Sequence, residues 1–368
     1  MIILVQVGNL GSSVIDHLIR PLSQSKNVNK ILVVCRKQGT EIPKVEYHCP
    51  PKFAINYPLI AITYEFFTLL YLSILIKPDY LQGYHLFPHG LMALVIAKLI
   101  RRPLITSLIA GPKELYTIQN LPGIQYANQL PRVGRIFLKL LKYSDIITTT
   151  GSFTKNSLVK HGIHEAKIYP IINPPNNSRV HYTQTIKTYD VIAVAQLSPI
   201  KHLEILLYAI AQVKKTLKEI KVCVLGDGPC KFKLLSLRKY LRLNNNIDFM
   251  GFQKDVAYYY NRSRIFIHTS EREGFPNVLL EAMNCGLPSI VSNCGDITDL
   301  AINDYNCMVI QNYNDIEGFA NAIIRLLEDK HYYSRISQNA LVTIEELSIE
   351  KVAQKWDSIL SSIEQTNQ

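Results

Sequence analysis

The chain has 368 residues, 48% hydrophobic and 19% charged, enough for two ordinary domains with sizeable cores and too apolar for global disorder. Its net charge of +11 is unevenly placed: residues 1–180 carry 20 Lys and Arg against 8 Asp and Glu, while the remainder, 20 against 21, is close to neutral. The seven cysteines are odd in number and form no CxxC pair, which argues against a disulfide framework and a structural zinc site and fits a reducing compartment.

Met1–Val7 reads as a buried first strand, with neither the basic start nor the cleavage site of a signal peptide. Gly8-Asn9-Leu10-Gly11-Ser12-Ser13 then turns into a helix. It is not G-x-G-x-x-G, so a dinucleotide site is not expected. The small Gly11 and Ser12 are candidates for letting a substrate approach the backbone, against a plain structural turn. Lys30–Cys35 is a second strand. Phe53–Ile76 is very apolar and has no Lys or Arg, but it contains Asn56, Pro58 and a central Glu65. A carboxylate at mid-bilayer is costly, so a buried or interfacial helix is expected rather than a membrane span. Tyr80–Tyr84, Pro103–Ile109 and Asp145–Thr150 are further strands. His89-Gly90 begins the helix after Tyr80–Tyr84, and His89 is either a substrate contact or part of a helix cap.

Ile171–Ile186, with Pro174, Pro175 and a polar run, reads as an interdomain seam. The expected division is a first domain over 1–173, a linker over 174–188, a second domain over 189–350, and a C-terminal helix over 351–368 that returns to the first domain. In the second half, strands are expected at Asp190–Ala195, Ile220–Leu225, Ile247–Met250, Ile265–His268, Ser289–Ser292 and Met308–Ile310, and a helix at Leu203–Leu217. Strands alternating with helices imply an α/β protein of two Rossmann-like, doubly wound parallel-sheet domains facing a cleft, where a ligand would bind.

The strongest chemical signal follows Ile265–His268. It is Glu271-Arg272-Glu273-Gly274-Phe275-Pro276-Asn277-Val278-Leu279-Leu280-Glu281-Ala282-Met283. Gly274 and Pro276 delay the helix to about Asn277. Free amides at its start, aided by the helix dipole, suit a diphosphate. Glu273 lies in the turn, and Glu281, just over one turn into the helix, is placed to accept two hydrogen bonds from a ribose diol. Lys201, after strand Asp190–Ala195, opens the next helix and carries an ammonium suited to a diphosphate leaving group.

Glu273 and Glu281 resemble the E-x7-E motif of retaining GT-B glycosyltransferases. The likeness is nearest to family 4, which includes bacterial lipopolysaccharide, capsule and exopolysaccharide transferases. Gly226-Asp227-Gly228-Pro229 resembles that family's G-x-G-P turn, Met250-Gly251-Phe252 its base-framing loop, and Leu197-Ser198-Pro199-Ile200-Lys201 its basic phosphate loop. Cys285-Gly286-Leu287-Pro288 resembles its next turn. Motifs in the family's order cover roughly residues 190–310. Over 1–180 the likeness is architectural only. The sequence departs from the pattern at Gln196, where an Arg is usual, at Ala195 and Asn306-Cys307, and at Leu108-Ile109-Ala110-Gly111, which lacks the family's His.

The resemblance implies transfer of a sugar from a nucleoside-diphosphate sugar, UDP ahead of GDP, to a hydroxyl of a glycan or lipid-linked acceptor. Lys201 and Glu273 are then the catalytic candidates. Glu281, Gly226, Gly251, Phe252, Gly274, Phe275, Pro276, Asn277, Val278 and Leu279 are the donor-binding candidates, and Gly11, Ser12 and His89 lie on the acceptor side. No metal site and no cofactor are expected, since no D-x-D is present. A GT-B-like nucleotide-sugar epimerase and a catalytically silent GT-B subunit are the alternatives. The basic first half, with the cluster Lys98, Arg101 and Arg102, suggests an anionic membrane surface as partner. The chain would then be cytoplasmic and peripheral at the inner face of the membrane. No nucleic-acid motif is present.

Overall fold

A computed structural model describes residues 2–8, 12–111, 114, 132–175 and 180–364. It forms two compact units, Met1–Pro174 together with Ser348–Gln368, and Pro175–Leu347.

The first unit contains β1 (Ile2–Val7), β2 (Val28–Val34), β3 (Val45–His48), β4 (Tyr80–Tyr84), β5 (Leu104–Leu108), β6 (Ile146–Thr149) and β7 (Ile168–Pro170). They make one parallel sheet in the order β3-β2-β1-β4-β5-β6-β7. Central strands such as β1 and β2 are near-continuous apolar runs because helices cover both faces. The strand period of two sorts them. Leu4, Ile31 and Val33 pack on one face with Trp356, Ile359 and Leu360 of the C-terminal helix Ile349–Glu364. Val5, Val7, Leu32 and Val34 pack on the other with Leu69 and Leu72 of helix Pro58–Ile76 and with Met92, Ala93, Ile96 and Ala97 of helix Leu91–Ile100.

A buried polar row crosses this sheet from Gln6 to Gln82 at 2.7 Å and from Gln82 to Ser107 at 2.8 Å, and Thr148 donates to Ser107 at 2.7 Å. Glu65 points inward from its helix and is fully buried. It accepts from Arg36 Nε at 3.1 Å and lies 3.1 Å from His89 Nε2.

The second unit contains β8 (Tyr189–Val194), β9 (Val222–Leu225), β10 (Ile247–Gly251), β11 (Ser263–His268), β12 (Ser289–Ser292) and β13 (Met308–Ile310). Its parallel sheet runs β10-β9-β8-β11-β12-β13. Strand order therefore reverses between β8 and β11, and at such a switch point the loops beyond the strand ends diverge to open a ligand site. Residues 180–188 are not a free linker. Val180 packs into the core beside Leu279 and Met283, and Thr183 N and Lys187 Nζ bond to Asn261. Asn176–Arg179, also within the expected linker, lie outside the described residues.

Candidate active site

Lys201 follows β8 and Glu273 follows β11, so the two strands that flank the switch point deliver them together. Lys201 does not open a helix, as its position suggests; it ends the short 3-10 turn Pro199–Lys201. His202, with a left-handed φ of 44°, then caps helix Leu203–Val213. The turn is fixed from the β11 side: Thr269 Oγ1 donates to the Lys201 carbonyl at 2.8 Å, and Glu271 N donates to the Ile200 carbonyl at 3.0 Å.

Glu273 folds back toward the strand ends. Three donors converge on its Oε1: the Lys201 ammonium, His268 Nε2 at 3.1 Å and Ser270 Oγ at 2.9 Å. Among the described residues Oε2 takes no hydrogen bond, which leaves it for a ligand hydroxyl. Burial works to raise the carboxyl's pKa, but the His268 hydrogen bond and charge, joined by Lys201, overcome it and hold it at about 2. Glu273 is therefore a fixed anion at any physiological pH. His268 is itself buried, and its Nδ1 has no partner among the described residues.

Close backbone approaches shape the same end of the sheet. A Cβ on Gly226 would sit 1.9 Å from the Ala195 carbonyl oxygen, and one on Gly295 2.0 Å from that of Glu273. Both glycines have positive φ, 126° and 59°. Glycine is thus required where the loop after β9 crosses the loop after β8, and where the loop after β12 supports Glu273.

Helix Asn277–Asn284 starts at Pro276 with no side-chain cap among the described residues, and the Leu279 amide of its first turn donates to the Pro276 carbonyl at 3.0 Å. The Leu279 side chain belongs to the core, Gly274 and Pro276 are buried, and Asn277 is exposed. The Gly274 carbonyl accepts from Asp296 N at 3.0 Å. Glu281 accepts from the Tyr260 hydroxyl at 3.2 Å. Burial raises its pKa, and the Tyr260 hydrogen bond only partly offsets that. Gly251, with φ of 69°, borders open space, and Phe252 is 74% exposed. Gln196, at the place of the missing Arg, is also exposed.

The acceptor-side candidates are dispersed. Gly11 lies outside the described residues, and Ser12 begins helix Ser12–Gln24. His89 is buried against Glu65, which assigns its ring to the interior of the first unit. Sequence reasoning missed His268 and Ser270, although a histidine ending a strand two residues before Ser270 and five before Glu273 was a usable signal. It also missed Glu114, whose carboxylate lies 3.1 Å from His85 Nδ1 and accepts from Leu86 N at 2.9 Å and Ala110 N at 2.7 Å. Glu114 thereby ties together the ends of β4 and β5, and no local pattern marks it.

Residues 179–342 match the family described as glycosyl transferases group 1. The chain is 26% identical over 296 residues to N-acetyl-alpha-D-glucosaminyl L-malate synthase of Bacillus anthracis, covering 76% of this chain and 74% of that one. It is 33% identical over 112 residues to UDP-Gal:alpha-D-GlcNAc-diphosphoundecaprenol alpha-1,3-galactosyltransferase of Escherichia coli, 29% of this chain and 28% of that one. The crystal structure of Anabaena HepE in complex with UDP and glucose superposes with a TM-score of 0.76 at 18% identity, over 98% of this chain and 100% of that one. Two parallel-sheet units of this topology define the GT-B fold. The chain has the GT-B fold, and its second unit carries the group 1 glycosyl transferase domain.

Proposed function

We propose that the chain is a retaining transferase that moves a sugar from a nucleoside-diphosphate sugar, UDP ahead of GDP, to a hydroxyl of a glycan or lipid-diphosphate-linked acceptor in cell-surface polysaccharide synthesis. The observation that carries this reading is the Glu273 cluster. A carboxylate kept ionised by Lys201 and His268 stands at the switch point beside an uncapped helix start. The relatives described above, two of whose names include UDP, UDP-galactose or a diphosphoundecaprenol acceptor, support the choice of donor and acceptor class.

The chemistry follows from charge placement. Loss of the diphosphate is the hard step, because a positive sugar centre and a negative leaving group develop together. Lys201 and the amides of Asn277 and Val278 stabilise the leaving group, worth about 3–4 kcal/mol per well-placed donor. Glu273 Oε2 accepts a donor-sugar hydroxyl. The anion beside the sugar also favours the developing positive centre; as the resemblance implies, the acceptor hydroxyl attacks on the departing face without a protein nucleophile, and its proton passes to the leaving diphosphate. Glu281 takes the ribose diol. Phe252, exposed at the end of β10, covers the base.

The test is a panel of UDP- and GDP-sugars with a lipid-diphosphate-linked glycan, following nucleotide release and the anomeric signal of the product by proton NMR. Release that depends on acceptor, with a product of the donor's anomeric configuration, is expected. Epimerised donor in the absence of acceptor would make the protein an epimerase. A folded protein that binds no nucleotide would make it a silent subunit.

A further inference from the structure

Helix Pro58–Ile76 is built inside out. A helix on the surface of a water-soluble domain turns its apolar stripe to the core and its charges to solvent. Here the helix's one ionisable carboxylate, Glu65, is completely buried, and the outward stripe is Leu59, Ile60, Phe67, Tyr71, Ile74 and Leu75. Leu59 is 80% and Leu75 64% exposed. Glu65 is bonded beneath the helix to Arg36 and His89, and Ala61, Leu69 and Leu72 seat it on the sheet and the neighbouring helix. Rolling the charge outward or pulling the helix across a bilayer would break that cluster, so the apolar stripe is held facing out.

The surface continues onto adjacent helices on the same face of the sheet. Leu99 of helix Leu91–Ile100 is 68% exposed, and Val95 is about half exposed. Ile136 and Tyr143 are exposed at and just beyond helix Arg132–Leu141. Cations are interspersed: Lys98, Arg101, Arg135, Lys139 and Lys142. The Lys98 ammonium lies over the Tyr143 ring at 5.8 Å. The first unit as a whole holds 21 Lys and Arg against 11 Asp and Glu, a net +10, whereas the second holds 19 against 18, a net +1. An apolar ridge this exposed is unusual for a free surface. A protein partner would match the ridge alone; an anionic bilayer matches both the ridge and the cations, with apolar side chains entering the acyl boundary and ammonium and guanidinium groups at the phosphates.

We infer that this face of the first unit docks flat on an anionic phospholipid surface, with helix Pro58–Ile76 lying in the interfacial plane. The inference deepens the proposed use of a lipid-linked acceptor and rests on that reading for its biological purpose.

The experiment uses the full chain and flotation with two vesicle types, phosphatidylcholine alone and phosphatidylcholine with phosphatidylglycerol, at low and high salt. Binding is expected only with the anionic vesicles, and it weakens as salt rises. Leu59→Gln combined with Phe67→Gln and Leu75→Gln changes only exposed side chains and is expected to lower binding at least about tenfold. Lys98→Gln with Arg135→Gln and Lys139→Gln is expected to remove the salt-sensitive part. UDP binding, measured on the same samples, keeps the two readings apart, because these residues all lie outside the second unit. Wild-type protein that stays unbound with anionic vesicles at low salt overturns the inference. So does a wild-type dimer that the Gln variant dissociates without any change in vesicle binding, since the face would then join two copies of the chain.

Discussion

Glu273→Gln tests whether the cluster at the switch point is a set of charges or merely a set of hydrogen bonds. The wild-type carboxyl falls from an ordinary 4.5 to about 2 in the folded chain. A depressed acid stabilises the fold fully above its unfolded pKa and loses that contribution as pH falls through the folded one. The whole depression is worth about 3 kcal/mol, of which about 2 kcal/mol is lost between pH 5 and pH 3. Glutamine preserves shape and does not titrate, so the wild-type advantage over Glu273→Gln should shrink by that amount across the interval. Urea unfolding followed by far-UV circular dichroism measures it. Trp356, the only tryptophan, sits in the first unit, so its fluorescence serves as an internal reference. An advantage that is the same at pH 5 and pH 3 would refute the electrostatic reading, leaving Glu273 as a neutral-equivalent hydrogen-bond acceptor.

Three further outcomes follow from the same geometry. Lys201→Ala should lower turnover at least about tenfold, roughly 1.4 kcal/mol of barrier, with a smaller change in donor affinity; steady-state and binding measurements on one preparation separate the two. Gly226→Ala should destabilise the protein by at least about 2 kcal/mol and weaken nucleotide binding, because its Cβ would lie 1.9 Å from the Ala195 carbonyl oxygen; an unchanged thermal transition would show the loops to be pliant. Glu281→Gln should weaken nucleotide binding by about 1.5–3 kcal/mol in calorimetry without loss of stability, and a variant that loses stability but not affinity would mark Glu281 as a structural residue.

What the sequence made legible divides along physical lines. Buried parallel strands announce themselves as apolar runs, so all six strands of the second sheet and five of the seven in the first could be placed to within a few residues. Val45–His48 and Ile168–Pro170 could not, because as edge strands they mix polar and apolar residues and take their conformation from a neighbour. The E-x7-E spacing located both carboxylates but not their environments. Whether Glu273 projects outward or folds back depends on His268, Ser270 and a lysine 72 residues away, a contact that exists only once β8 pairs with β11. Glu65 stood out in the sequence as a carboxylate within an apolar run, but its partners Arg36 and His89 come from separate segments brought together by packing. For the same reason His89 looked like a site residue when its ring is committed to the core.

The two carboxylates of the motif are tuned in opposite directions, and under the proposed function that difference would separate their tasks. Glu273 is held by the Lys201 ammonium and by hydrogen bonds from His268 and Ser270, so the fold has already met the cost of its charge, and Oε2, which takes no hydrogen bond among the described residues, would be open to a substrate hydroxyl without reorganisation. Glu281 is partly buried and, among the described residues, has a single hydroxyl donor, so its ionised form costs stability as pH rises above the ordinary carboxylate range toward its raised pKa. A ribose diol would supply the donors it lacks and draw it back to the anion. Nucleotide binding at Glu281 would then release a proton at mildly acidic pH, whereas contact with Glu273 would not. A calorimetric titration of UDP in buffers of different ionisation enthalpy isolates that proton. Its disappearance in Glu281→Gln, and its persistence in Glu273→Gln, would assign the nucleotide to one carboxylate and leave the other for the sugar. Proton release unchanged in Glu281→Gln would reverse the assignment.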